Sequence, residues 1–174
     1  MPKFYLIRHG EPDYSYGDEH GFIGQGHDLA PLKKEKIIDV IRTSKDERLK
    51  GAKVIVSSPY TRALQTAAII SKETGLNIEV DMDLREWQPD LTYRYKSKDE
   101  MEELYRDFKQ CGGKYPQGEE KKWESEESLK KRAMSVIEKY KKYDCVIIVG
   151  HKMLFKTITN TKGMEPAEIL ELNI

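Results

Sequence analysis

Apolar residues along this chain fall into short blocks separated by charged stretches. Phe4-Tyr5-Leu6-Ile7, Val54-Ile55-Val56 and Val146-Ile147-Ile148-Val149 are continuous apolar runs, the pattern of strands buried on both faces. The pattern predicts strands over 3–8, 53–57, 77–80 and 144–149, and a final edge strand over 168–174. Helical spacing lies between them. A helix over 33–50 places Ile37, Val40 and Ile41 on one face, with a weakly amphipathic second half. The next is predicted to open on Ser58 as N-cap and Pro59 as first helical residue. Leu64, Ala67, Ala68 and Ser71 continue one of its faces, with Ala63 and Ile70 beside it, and Gly75 ends it in a left-handed cap. Further helices are predicted over 98–108, 125–143 and 152–160, the second with Leu129, Ala133, Val136, Ile137 and Tyr140 at helical spacing. Residues 10–31, with five glycines and two prolines, predict a long irregular loop, and 114–122 a second loop.

Strands alternating with helices predict an α/β fold: a mainly parallel sheet flanked by helices in three layers, α/β/α, with right-handed crossovers. No repeat or linker divides the chain, so residues 1–174 read as a single domain. The charged, tyrosine-rich stretch from about 85 to 124 reads as a small cap inserted above the sheet. A chain of 174 residues buries roughly 70% of its unfolded surface. Charged residues make up 34% and balance at 30 against 30, with lysines alternating with glutamates. That leaves no basic stripe for nucleic acid. The longest apolar runs span about half a dozen residues against the ~20 of a membrane helix, so no membrane partner is expected. Met1-Pro2-Lys3 leads straight into the first strand, without the pattern of a secretory leader. Cys111 and Cys145 lack CxxC spacing, as in a reducing cytosol, and the expectation is a cytoplasmic protein. No exposed apolar stripe fixes an oligomeric state.

Three of these strands release polar groups at their C-terminal ends: Arg8-His9-Gly10, the segment from Ser57-Ser58 to Arg62, and Gly150-His151. In an open parallel sheet such ends line one crevice, where ligands bind. Two arginines, two histidines and a helix N-terminus meeting there suit a phosphate dianion.

The same residues resemble the histidine phosphatase superfamily, also called phosphoglycerate-mutase-like. Arg8-His9-Gly10 with Glu11 matches its Arg-His-Gly signature, and Ser58, Arg62, Ala63, Gln65 and Thr66 its Ser-x-x-x-Arg-Ala-x-Gln-Thr element. Leu84-Arg85-Glu86 matches its Leu-x-Glu element, and Gly150-His151 its last strand and histidine. Ala30-Pro31-Leu32 resembles the opening of its first helix; Glu124-Ser125 with Arg132 resembles the Glu-Ser pair and arginine of its late helix. The resemblance runs from about residue 3 to 155.

It implies a phosphomonoester hydrolase working through a phosphohistidine on His9, a neutral imidazole whose other nitrogen should donate to a backbone carbonyl. Arg8 and Arg62 would clamp the phosphoryl oxygens, and His151 would donate to them, most usefully when protonated. Glu86 is the candidate general acid and then base, with Trp87 beside it to raise its pKa, and Glu11 is the runner-up. Ser15 stands near where many members carry a phosphate-holding asparagine, and Ser58 could present free N–H groups to an anion. Lys33 and Lys36 replace the usual threonine and glycine, Lys152 replaces a glycine after the last histidine, and Trp123 replaces the glycine of Gly-Glu-Ser.

His20 and His27 with Asp13, Asp18 and Asp28 could be read as metal ligands, but they lack HxxxH-type spacing and the chemistry above calls for no metal or other cofactor. Tyr93, Tyr95, Tyr105 and Tyr115 suggest a half-buried cap over the crevice. The expected partner is a small phosphorylated substrate or a phosphoprotein. A mutase of the phosphoglycerate type and a non-catalytic module binding a phosphorylated ligand are the alternatives. Mutases of the family are typically longer, and mere binding needs neither a nucleophile nor an acid.

Overall fold

The computed structural model describes residues 2–159 and 161–173. Strand β1 (Lys3–Arg8) opens the chain and lies beside the central strand of a five-stranded sheet whose order is β3-β2-β4-β1-β5. The partners are β2 (Ile55–Ser57), β3 (Ile78–Val80), β4 (Cys145–Gly150) and β5 (Ile169–Asn173). β1, β2, β3 and β4 run parallel, and β5 adds antiparallel to the edge of β1.

Alternation along the buried strands divides the interior into two cores. Phe4, Leu6, Val56, Val146 and Ile148 face one side, where they meet Leu129, Ala133, Val136 and Ile137 of helix α6 (Glu126–Tyr140). Tyr5, Ile7, Ile55, Ile147 and Val149 face the other, against Ala63, Ala67 and Ile70 of α4 (Thr61–Thr74). A strand packed on both faces must be apolar at every position, which is why these runs do not alternate in sequence. Each fully buried Ile or Val contributes about 1.5–3 kcal/mol.

The other helices are α1 (Ser15–Glu19), α2 (Gln25–Asp28), α3 (Ile37–Ser44), α5 (Lys98–Gln110) and α7 (Lys152–Lys156). Several sequence expectations change here. The stretch from 10 to 31 is not wholly irregular, since it carries α1 and α2. The helix expected over 33–50 is broken into a 3₁₀ turn (Lys34–Lys36), α3, and a second 3₁₀ turn (Glu47–Gly51). Asp46 causes the second break: its carboxylate accepts from the Arg48 N–H and binds the Arg48 guanidinium, starting a new turn. The cap of α4 is Tyr60 rather than Ser58, so Pro59 precedes the helix. Its buried face is Arg62, Ala63, Thr66, Ala67 and Ile70, whereas Ala68 is exposed and Leu64 and Ser71 are half-buried. Gly75 ends α4 at φ 73°, the left-handed conformation expected of it. Ser125 caps α6 by accepting from the Ser128 N–H, and the helix ends at Tyr140 rather than 143. α7 ends at Lys156, and Asn160 and Ile174, the predicted ends of the seventh helix and the last strand, lie outside the described residues.

Register places the site. Arg8 pairs with Gly150 and Ser57 with Val149, so β1, β2 and β4 end at one level. The backbone bonds continue one residue further, His9 N–H to the Gly150 carbonyl and Ser58 N–H to that of Val149. Three chain segments thus leave the sheet side by side at its carboxyl edge. No helix among the described residues is long and apolar enough to cross a membrane.

Candidate active site

His9 leaves β1 into a buried position, 4% exposed. Its Nδ1 lies 2.7 Å from the Gly10 carbonyl, which fixes the proton on Nδ1 and leaves the Nε2 lone pair free. Arg62 Nε donates to that Nε2 at 3.2 Å. Burial, then the Arg62 and Arg8 charges, hold the His9 pKa down to about 3, against the backbone bond to Gly10. The imidazole is therefore neutral at physiological pH. Gly10 is required by close approach: a Cβ there would lie 2.5 Å from Val40 Cγ2. Its N–H donates to Thr66 Oγ1, so both its peptide groups are committed to orienting the segment.

Arg62 sits in the first turn of α4, 5% exposed, between the two imidazoles. One terminal nitrogen donates to the His27 carbonyl at 2.8 Å, and the other lies 3.4 Å from His151 Nδ1. Its guanidinium also covers the rings of Tyr60 and Tyr14, with 5.1 and 5.8 Å to their centroids. Arg8 gives one terminal nitrogen to the Met164 carbonyl at 2.6 Å, while its Nε is buried with no hydrogen-bond partner. No ion pair among the described residues involves Arg8 or Arg62. A buried cationic donor left unpaired costs upward of about 1–3 kcal/mol, which an anion would recover.

His151 is fully buried, its ring centroid 5.0 Å from that of His9. Its Nε2 lies 2.7 Å from Ser58 Oγ. With Nδ1 turned to a guanidinium, Nε2 carries the proton and donates to Ser58. Burial, Arg62 and His9 keep its pKa well below the ordinary value. The imidazole is therefore neutral beside the Arg62 guanidinium. Ser58 Oγ serves this imidazole and the Tyr60 N–H ahead of the helix, and it does not cap α4.

Glu86 is half-buried beyond the 3₁₀ turn Met82–Leu84. Its Oε1 accepts from the Trp87 N–H at 2.8 Å and the Leu154 N–H at 3.2 Å, and its Oε2 from the Met153 N–H at 3.2 Å. Burial nevertheless raises its pKa, outweighing these amides and Arg62. The segment carrying it is held by Arg132 of α6, whose guanidinium donates to the carbonyls of Asp83, Arg85 and Glu86. Arg132 also forms a bidentate pair with the buried Glu124, at 2.7 and 2.9 Å. Glu86, Arg62, Tyr14, Asp28 and Tyr60 line one cavity of about 150 Å³.

The remaining candidates lie elsewhere. Glu11 pairs with Lys33 at 3.1 Å and does not line this cavity. Ser15 is exposed and bonded to Asp13 in a local turn. Lys152 is exposed, its stem packed over Gly163. His20 bonds the Tyr16 carbonyl and His27 bonds Asp18, and no group of three or more potential ligands gathers among the described residues. Of the four cap tyrosines, Tyr105 packs on Trp87 and Phe108 and Tyr115 on Trp123, whereas Tyr93 and Tyr95 line a cavity. Sequence reasoning missed Tyr14, Asp28, Tyr60 and Gln88 as site residues. The signal available was Asp28 in the loop facing the crevice, and it was spent on a metal reading.

This fold and this cluster define a phosphoglycerate-mutase-like protein. The sequence matches the histidine phosphatase superfamily (branch 1) over residues 4–174, and the chain belongs to that family. It is 29% identical over 159 residues to "Putative phosphoserine phosphatase 2" of Hydrogenobacter thermophilus, a match covering 87% of this chain and 73% of that protein. The fold is shared with Bacillus stearothermophilus YhfR at 22% identity and a TM-score of 0.75, covering 100% of this chain and 92% of that one. It is shared too with a phosphoglycerate mutase from Bacillus anthracis at 18% identity and a TM-score of 0.71, covering 98% and 86%.

Proposed function

We propose that this chain hydrolyses phosphomonoesters through a phosphohistidine on His9. The observation that carries this is the His9 lone pair: Nδ1 is tied to the Gly10 carbonyl, so Nε2 faces the buried Arg62 guanidinium, which has no carboxylate partner among the described residues. A phosphoryl group drawn to Arg62 and Arg8 would meet a neutral nucleophile, already oriented. In the first step the Nε2–P bond forms as the P–O ester bond breaks, and the leaving alkoxide takes a proton from Glu86. In the second, water gives a proton to the Glu86 carboxylate and attacks phosphorus, releasing inorganic phosphate and restoring the imidazole.

Burial shifts the Glu86 pKa upward, the direction that a proton donor requires. Arg8 and Arg62 neutralise charge on the equatorial oxygens, where such charge is greatest in the transition state. His151 is held neutral between Ser58 and Arg62; a bound dianion would favour its protonated form, turning Nδ1 from acceptor into donor.

The deciding experiment is hydrolysis of an aryl phosphate by the purified chain without added metal, with His9→Ala as control. Turnover lost in that variant, and an acid-labile phosphoenzyme trapped in the parent, are the expected results. Turnover retained without His9 would end the proposal, and turnover that requires a bisphosphate primer would make the protein a mutase.

A further inference from the structure

Beyond Glu86 and Arg62 the crevice opens into a second cavity of about 320 Å³, lined by Gly24, Gln25, Asp28, Gln88, Tyr93 and Tyr95. Asp28, Gln88 and Tyr95 line both cavities, so the two adjoin across these three side chains. The division of charge between them is sharp. The inner cavity holds Arg62, whereas no lysine, arginine or histidine lines the outer one. Asp28 is half-buried at the boundary and takes part in no ion pair among the described residues.

Its surroundings otherwise cost the carboxylate its hydration. Burial pushes the Asp28 pKa up to about 6, and Arg62, a hydrogen bond from Tyr60 and His27 recover only part of that. Gln88 is committed elsewhere, donating to the Tyr60 hydroxyl at 2.6 Å and to the Glu86 carbonyl. Tyr93 lines the outer cavity with φ 56°, a left-handed conformation that is costly for an aromatic residue. Asp90 holds it there by accepting from the Thr92 and Arg94 N–H groups. Such strain persists where the surrounding structure imposes it, often beside a ligand.

We propose that the outer cavity receives the alcohol part of the phosphomonoester and that Asp28 selects a cationic one. The substrate class is then a phosphate ester of an amino alcohol or of a quaternary ammonium alcohol. This rests on the phosphatase reading above, which supplies the inner phosphate. The ammonium group would gain the unpaired Asp28 charge and the faces of Tyr93 and Tyr95. A second anion, such as the carboxylate of a glycerate phosphate, would meet Asp28 in an outer cavity that no cationic side chain lines.

The test is phosphate release by the unmodified protein from phosphocholine, its neutral isostere 3,3-dimethylbutyl phosphate, O-phosphoserine and 3-phosphoglycerate, alongside an aryl phosphate. The expected order of kcat/KM places phosphocholine about tenfold or more above the isostere, and 3-phosphoglycerate last. O-phosphoserine falls between, because Asp28 favours its ammonium and opposes its carboxylate. In Asp28→Asn the ratio of phosphocholine to isostere, measured within the variant, collapses to about unity. Aryl hydrolysis without preference for the cation, or a ratio unmoved in Asp28→Asn, overturns this proposal and leaves the phosphatase reading intact. Absence of any hydrolysis, aryl included, overturns the phosphatase reading and this proposal with it.

Discussion

Replacing Arg132 by Met tests whether the Glu86 segment is held from behind by one guanidinium. Arg132 is 8% exposed and Glu124 1%, so the pair is out of water. The variant leaves the Glu124 carboxylate buried with only the Gln88 N–H and the Ser128 hydroxyl as donors. Removing one partner of such a pair costs about 3–5 kcal/mol, a large part of a typical domain's stability. At about 2–4 °C per kcal/mol for a chain of this size, the thermal midpoint should fall by about 6–20 °C. Removing both charges in Arg132→Met with Glu124→Leu should recover much of that loss, since the cost lies in the stranded carboxylate. Kinetics give the second readout. The carbonyls of Asp83 and Arg85 lose their donor and that of Glu86 keeps only Gln88, so the segment that carries the Glu86 carboxyl is held less firmly. Assayed well below its transition, Arg132→Met should lose more turnover on alkyl phosphates, which need a proton donor, than on aryl phosphates, which do not. A midpoint within about 2 °C of the parent would refute the energetic reasoning. An unchanged ratio of alkyl to aryl rates would refute the positioning role.

Glu86→Gln should lower turnover by ~10²–10⁴ on esters with poor leaving groups and far less on aryl esters; equal losses on both would remove Glu86 as the acid. Because the His9 pKa is held down to about 3, below its unfolded value, the unfolded chain binds a proton that the folded one refuses as pH falls through 6.5. Stability should therefore drop on acidification, with His9 contributing about 2 kcal/mol of the loss between neutrality and about pH 5. Urea unfolding at the two pH values should show that share missing in His9→Gln, and identical losses would contradict the buried neutral imidazole. Gly10→Ala forces a Cβ to 2.5 Å from Val40 Cγ2 and 3.1 Å from a Leu32 methyl. It should cost about 1–3 kcal/mol, seen as a lower denaturant midpoint, and a midpoint equal to the parent's would show that the segment yields freely.

Much of the sheet was readable because its strands are buried on both faces, which leaves runs such as Ile147-Ile148-Val149 without polar interruption. The meeting of His9, Arg62 and His151 was readable too, since strand ends in a parallel sheet have few places to go. Contacts made by loops were not. Asp28 and Gln88 are 60 positions apart and come together only because the segment around α2 folds against the one after Glu86. No periodicity records such an encounter. Ser58 misled for a related reason: a serine before a proline and a helix signals a cap, but here its hydroxyl is taken by His151. The break after α3 turns on the Asp46–Arg48 contact, which helical spacing alone does not weigh.

The margins of the sheet carry a last consequence. β3 offers only three residues at one edge, and Glu79 and the neighbouring Asp81 are tied to Tyr140 and Lys139 of α6. β5 closes the other edge with Glu171 and Asn173 in its sequence. Short or charged borders make poor templates for a foreign strand. A fold whose central strands are this apolar is thereby guarded against stacking into fibrils through its own backbone.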